Sequence, residues 1–464
     1  MARDPTTRLQ LSGHRFLVRR MTHALVRGDV RMLDDPLRAQ SLSLVAGCVL
    51  AVIVIAACAV LAFLGPKNEL GAAPIAVVRE SGALYVRIDD TMHPTFNLAS
   101  ARLIAGTADT PELVSASAVA DAKTGALVGI PGAPHTVAPP LDESESDWTV
   151  CQDATATTTV LVGADVEHLD AGRSALVVAG GEGAAATYLL YDGVRARVDL
   201  RNPAVVRALR LDGVKPRIVS RVMLAAVPEV PELAVPVIAN AGTAGPATLH
   251  RLAVGTVVRL PQADSTAYYV VLSDGVQRIG VAAADLIRFT YSAGRRDITT
   301  VEPGVIGSVP VVDDLPVGRF PDRGGVADEP VLCVRWKWSA STRSVEHRVL
   351  MGNSLPVADL DAVTSLANAD DAGVGVDRVY LPRGRAAYVR ATGVTGAGAD
   401  AGTLYYVDGS GVVFGLHDDD AANRLGLSGA PVPAPWPVLA SLPRGPGLSV
   451  AAASIVRDSL GPPS

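Results

Sequence analysis

From Leu42 to Leu64 the chain reads LSLVAGCVLAVIVIAACAVLAFL, 23 residues without a charge. A helix of that length rises about 34 Å at 1.5 Å per residue, enough to cross the roughly 30 Å hydrocarbon layer of a bilayer. In lipid every backbone polar group needs a partner within the segment, so a lone span of this kind is a helix. Gly65 and Pro66 stop it. The run is longer than the apolar part of a cleaved secretory signal. Cys48 and Cys58 do not close it, as a lipoprotein cysteine would.

Ahead of the span, Phe16, Leu17, Met21, Ala24 and Leu25 fall at helical spacing, with Arg15, Arg19, Arg20 and Arg27 among them and Ser12 as N-cap. The pattern predicts a basic amphipathic helix that Asp35-Pro36 ends or bends before the membrane. It suits an anionic lipid surface, a partner protein or plain positive-inside anchoring, and the sequence leaves the three open. Eight arginines precede the span, while the first dozen residues after it carry only Lys67 and Glu69. Basic residues resist translocation, which places the N-terminus in the cytoplasm and the long C-terminal region outside.

Beyond the membrane the period shortens to that of strands. Four stretches carry an aromatic strand and a turn: Leu84–Asp90, Tyr188–Val194, Tyr268–Val276 and Leu404–Ser410. Three have Asp-Gly between apolar runs, a hairpin signal because Gly tolerates positive φ and Asp caps the turn. Short helices are expected to follow at Asn97–Gly106, Asn202–Leu211, Val281–Ile287 and Asp420–Gly426. These read as degenerate copies of one module. Their tyrosines, Tyr85, Tyr188, Tyr268 and Tyr405, are spaced 103, 80 and 137 residues apart, so the array is not a regular solenoid. Those rings could stack on cell-wall sugars or simply pack as strand residues. Central strands are expected at Ser174–Val178 and Val331–Trp338, and the run Pro431, Pro433, Pro435, Pro437 around Trp436 as an extended tail.

Length then bounds the organisation, because 464 residues exceed one ordinary domain. The pattern divides into a basic arm (1–41), a span (42–64), linker and repeat 1 (65–130), a first segment of the central core (131–180) and repeat 2 (181–230). Repeat 3 (231–294), a second segment of the central core (295–395), repeat 4 (396–445) and a tail (446–464) complete it. The fold class is α+β: a cytoplasmic amphipathic helix, one transmembrane helix and an elongated β-rich outer domain. Cys151 and Cys333 are the only cysteines outside the span, in an oxidising compartment, and are expected to form a disulfide.

Net charge is −6 and basic residues beyond the arm are scattered, which speaks against nucleic-acid binding. No Gly-Lys occurs, so there is no P-loop. No histidine pair or cysteine neighbourhood has metal-ligand spacing, and no nucleophile elbow is present. Glu143, Glu145 and Asp147 read as a solvated acidic loop, and His417 to Asp420 as an acidic helix start. No catalytic, cofactor or metal residue is assigned.

The segment Leu11-Ser-Gly-His-Arg-Phe-Leu-Val-Arg-Arg-Met-Thr-His-Ala-Leu-Val-Arg-Gly-Asp-Val-Arg-Met32, then Asp35-Pro-Leu-Arg-Ala-Gln40 and the single span, closely resembles the EccB component of actinobacterial type VII (ESX) secretion systems. Outside the membrane the resemblance is looser but covers the whole chain. It implies four degenerate repeats around a disulfide-closed core. It also implies a structural subunit of an inner-membrane secretion complex, homo-oligomeric there and assembled with the EccC ATPase, EccD and EccE. Family members are often labelled ATPases, a label that no residue in this sequence supports.

Overall fold

The computed structural model describes residues 8–28, 36–64, 70–181, 186–246, 249–291, 297–369 and 374–458. The chain falls into two compact units, Met1–Asn68 and Glu69–Ser464.

Among its described residues the first unit holds two helices. Helix α1, Arg8–Arg27, begins four residues before the expected cap, so Ser12 is interior to it. Arg8, Leu9, Gln10 and Leu11 are all strong helix formers, and nothing among them starts a turn. Helix α2 runs Pro36–Leu64, and its residues Gln40–Leu61 are long and apolar enough to cross a membrane. Pro36 stands in the first turn, where a missing N–H costs nothing. Asp35, Gly65 and Pro66 lie outside the described residues.

The described residues of the second unit form five sheets. The first takes β1 (Ile75–Val78), β2 (Leu84–Ile88), β3 (Thr91–Thr95), helix α3 (Leu98–Ala105), β4 (Glu112–Val114), helix α4 (Ala116–Ala120) and β5 (Leu127–Val128). Its order is β4-β1-β2-β3-β5, with β4 parallel to β1 and β5 parallel to β3. Next come three strands of the central sheet, β6 (Trp148–Gln152), β7 (Thr158–Val162) and β8 (Asp170–Ala171).

The second small sheet uses β9 (Ala175–Ala179), β10 (Thr187–Tyr191), β11 (Val194–Arg197), α5 (Pro203–Ala208), β12 (Arg217–Val219), α6 (Arg221–Ala225) and β13 (Glu229–Val230), in the order β12-β9-β10-β11-β13. The third uses β14 (Val257–Pro261), β15 (Thr266–Val271), β16 (Val276–Ile279), α7 (Val281–Tyr291), β17 (Thr299–Thr300) and α8 (Pro303–Gly307), in the order β17-β14-β15-β16. The central sheet then receives β18 (Val331–Ser339), β19 (Ser344–Gly352), β20 (Val363–Ser365) and β21 (Arg378–Tyr380), and is ordered β20-β21-β7-β6-β18-β19-β8.

The fourth small sheet has β22 (Ala387–Thr392), β23 (Leu404–Val407), β24 (Val413–Leu416), α9 (Asp419–Leu425), β25 (Val432–Pro435) and α10 (Trp436–Leu439), in the order β25-β22-β23-β24. Helix α11 (Val450–Ala453) and β26 (Val456–Arg457) bring the chain back to the first sheet, where β26 pairs with β5. The four small sheets thus share one connection: a three-stranded meander, a helix, and a fourth strand parallel to the first.

Local chemistry explains the shared elements. Asp192 and Gly193 both take positive φ between β10 and β11, the turn that matches the twist of a two-residue hairpin. Asn97, Asn202 and Asp418 cap α3, α5 and α9 through side-chain oxygens that accept from amides of the first turn. Gly106 and Gly426 close α3 and α9 in the left-handed region. These two helices also clasp each other. Arg102 Nη1 donates to Leu425 O at 2.8 Å, and Arg424 Nη1 donates to Leu103 O at 3.2 Å.

Two expectations need correction. Ala175–Ala179 is the first strand of the second small sheet, not a central strand, because Leu176 pairs with Leu189 and Val177 with Tyr188 across the hairpin's own meander. The proline run is extended only as far as Pro435: Val432–Pro435 pairs in parallel with β22, and Trp436-Pro437 opens helix α10. Proline is tolerated there because the strand lies on an edge and the helix position lacks an internal partner anyway.

Candidate functional site

Strand β18 reads VLCVRWKWS, and its alternation sets two chemistries back to back. Leu332, Val334, Trp336 and Trp338 share one face; Cys333, Arg335 and Lys337 share the other. The register with β6 is direct, pairing Trp336 with Trp148, Val334 with Val150, Arg335 with Thr149 and Cys333 with Cys151.

The tryptophan face is buried in the largest core. It meets Val177, Leu190 and Met223 from the second small sheet and Val389, Val407 and Val438 from the fourth. The central sheet therefore carries the packing of its neighbours on both flanks. Trp336 Nε1 donates to Val394 O at 2.8 Å, and His347 Nε2 lies 2.9 Å from the same oxygen. Burial holds the His347 imidazole below its ordinary pKa, against the opposing effect of that hydrogen bond.

On the opposite face Cys151 and Cys333 form a disulfide between residues 182 apart, with Cα atoms 4.0 Å apart. Both are fully buried, in a small cluster with Leu161, Val166 and Leu350. Beside them lies an ion cluster. Arg335 Nε donates to Asp147 Oδ2 at 2.9 Å, Nη2 donates to the same oxygen, and Nη1 donates to Glu167 Oε1 at 2.6 Å. Lys337 Nζ stands 3.4 Å from Asp147 Oδ2 and Arg348 Nη1 3.7 Å from Glu167. Arg335 is 5% exposed and Asp147 6%.

Burial works against the guanidinium charge, but its bonds to Asp147 and Glu167 outweigh it and raise the Arg335 pKa. The hydrogen bond and charge of Arg335 pull Glu167 below the usual carboxylate range. Glu167 is thus held ionised and is a poor proton donor near neutral pH. This arrangement ties β6, β18 and the loop before β8 together. Among the described residues no group of three or more His, Cys, Asp or Glu is placed to hold a metal.

Asp147 corrects the sequence reading of a solvated acidic loop. Glu143 and Glu145 are exposed as expected, whereas Asp147 turns inward because the buried Arg335, with Lys337 beside it on the same face of β18, needs a counter-charge. Arg335 in VLCVRWKW was the available signal, and nothing in the sequence said which carboxylate, 188 residues away, would answer it.

The other sequence-selected residues do not converge. Arg15, Phe16, Leu17, Arg19, Arg20, Met21 and Leu25 all lie on α1, which Arg27 ends. Tyr85, Tyr188, Tyr268 and Tyr405 sit on β2, β10, β15 and β23, each the middle strand of its own meander; Tyr85 and Tyr268 are half-buried against separate small clusters, and Tyr188 and Tyr405 both against the large central core. Arg195 and Arg197 stand 5.4 and 5.9 Å from the Tyr188 ring centre. Tyr405 meets Trp436 at 5.8 Å between centroids, and Arg444 caps Trp436 at 4.9 Å.

Residues 3–462 match the family described as "Type VII secretion system ESX-1, transport TM domain B". The ESX-5 secretion system ATPase EccB5 of Mycobacterium tuberculosis is 36% identical over 482 residues, covering 98% of this chain and 94% of its own. The ESX-3 secretion system ATPase EccB3 of Mycolicibacterium smegmatis is 35% identical over 474 residues, covering 98% and 91%. Among solved structures, a chain of an intact ESX-5 inner membrane complex is 35% identical with a TM-score of 0.70, covering 100% of this chain and 98% of that one. An EccB3 dimer from an ESX-3 core complex is 32% identical with a TM-score of 0.69, covering 82% and 100%.

Proposed function

Since the chain belongs to the EccB family of type VII secretion systems, we propose that it is a structural subunit of an ESX membrane complex, anchored in the inner membrane by α2 and scaffolding the periplasmic assembly with its β-rich unit. The observation that carries this is the end-to-end likeness to a chain of an intact inner membrane complex, anchor included. A scaffold also agrees with a central sheet whose buried Arg335 is committed to internal ion pairs with Asp147 and Glu167.

In this reading the N-terminus is cytoplasmic, on the side of the arginine excess. The partners are a second copy of the chain, the EccC ATPase, EccD and EccE. The four small sheets are four degenerate repeats around the core closed by Cys151 and Cys333. By their first strands repeats 1 and 3 begin near 75 and 257, within the expected 65–130 and 231–294, while repeats 2 and 4 take in β9 and β22 and so begin near 175 and 387. Extraction from the native host in gentle detergent is expected to yield a large complex that is lost when residues 1–40 are removed. Migration of the full-length chain as a free monomer would refute the assignment.

The relatives' printed names include the word ATPase, which motivates an alternative reading as an extracytoplasmic nucleotide hydrolase. Purified chain that hydrolyses ATP at a rate surviving further purification would establish it. A cell-wall-binding role rests on the four tyrosines, and failure to sediment with insoluble peptidoglycan would remove it.

A further inference from the structure

We propose that a cavity beside the fourth small sheet is a carboxylate-binding site, with Arg390 and Tyr388 as its donors. The cavity measures about 460 Å³ and lies between the tip of the β18–β19 hairpin and the edge of that sheet, walled by Trp338, Ala340, Asp400 and Pro431. A volume of that order suits one small ligand or the tip of a peptide. Strand β22 supplies the chemistry. Its alternation puts Tyr388 and Arg390 on one face, and both line the cavity. Arg390 is half-buried between apolar neighbours across the sheet, Leu404 on β23 and Pro433 on β25. Among the described residues no carboxylate pairs with it, and its one hydrogen bond runs from Nη1 to Gly402 O at 3.0 Å. That carbonyl is within reach because Gly402 has no Cβ; one there would collide with Ala391 O. Tyr388 is 5% exposed, and its hydroxyl has no partner among the described residues. Burial and Asp419 raise its pKa against the opposing charge of Arg390, so the hydroxyl keeps its proton and can donate.

The acidic residues around the cavity are already engaged. Glu143 Oε1 accepts from Ala340 N at 2.7 Å, Asp400 pairs with Arg343, and Asp142 forms a capping box with Glu145. Two donors on one strand face are thereby left without an acceptor, which selects an anion. A carboxylate has two coplanar oxygens, one for the guanidinium and one for the hydroxyl two residues away. The group can arrive on a free organic acid or on the acidic side chain of a peptide.

The test is saturation-transfer NMR on the full-length chain in phosphatidylcholine nanodiscs, with empty nanodiscs as background. The probes are benzoate, its uncharged counterpart benzamide, and the blocked tripeptide acetyl-Ala-Glu-Ala-amide. For a ligand as small as benzoate a Kd of about 1 mM is expected. Arg390→Gln should weaken carboxylate binding about tenfold or more and Tyr388→Phe about threefold, and benzamide should bind as weakly as benzoate does to the Arg390→Gln variant. Glu143 is exposed, so Glu143→Gln leaves the fold intact, keeps an acceptor for Ala340 N and removes a like charge from the wall. That variant should tighten binding about twofold. Whichever of benzoate and the tripeptide binds more tightly identifies the source of the carboxylate, and either supports the site. No binding of both below about 10 mM, equal binding of benzoate and benzamide, or binding unchanged in Arg390→Gln overturns the proposal.

Discussion

Removing the Cys151–Cys333 disulfide is the perturbation whose size the structure sets best. The bridge closes a loop over 182 positions that contains the whole second and third small sheets. For a loop of that length the chain-entropy relation gives about 5 kcal/mol of lost stability at 25 °C, an upper figure because compact unfolded chains are already partly constrained. All four tryptophans, Trp148, Trp336, Trp338 and Trp436, lie in the second unit, so intrinsic fluorescence of the full-length chain reports that unit alone. Trp148 and Trp336 are paired on the same two strands as the cysteines but on the other face, so Cys151→Ala with Cys333→Ala leaves their packing in place. With a urea m-value of about 3 kcal/mol/M, the midpoint is expected to fall by up to about 1.7 M. Reduction of the unaltered protein should produce a similar fall. A double variant whose midpoint moves by less than about 0.3 M would refute the view that the bridge limits the unfolded chain.

Removing one partner of the buried pair, by Asp147→Ala or Arg335→Ala, is expected to cost roughly 3–5 kcal/mol in the same assay. Glu167→Gln, whose side chain is 64% exposed, should stay within about 1 kcal/mol; equal losses for Asp147 and Glu167 would contradict the geometry. Because burial lowers the His347 pKa, the unfolded chain takes up a proton first. His347 therefore removes stability as pH falls below about 6.5, and His347→Gln should reduce the loss in urea midpoint between about pH 7.5 and 5.5. Gly193 has φ +75°, and a Cβ there would stand 2.1 Å from His347 O, so Gly193→Ala is expected to cost more than about 1 kcal/mol by thermal or urea unfolding. A neutral result would mean that the turn and β19 can separate.

Much of the architecture is legible along the chain because its signals are local. Twenty-three uncharged residues specify a span, Asp192-Gly193 specifies a tight hairpin, and Asn97 and Asn202 specify helix starts, while the start expected at Asp420 lies two residues past the actual cap, Asp418. Two outer cysteines have no other partner. What escaped is the pairing that joins distant segments. The parallel partners β1 and β4, or β22 and β25, are separated by a meander and a helix and leave no mark on either strand's own pattern. Ala175–Ala179 shows why: an apolar five-residue run fits any buried sheet, and only its hydrogen-bond partners decide which.

By itself, then, the sequence determined where the membrane is crossed, which turns are tight and which cysteines pair, each from residue chemistry within a few positions or from simple count. Only the tertiary structure decided that Asp147 faces Arg335 rather than water, that four short sheets share one strand order, and that the proline run is an edge strand. Those outcomes depend on contacts between residues tens to hundreds of positions apart, where burial makes an unpaired charge or backbone group costly and the chain folds to supply its partner.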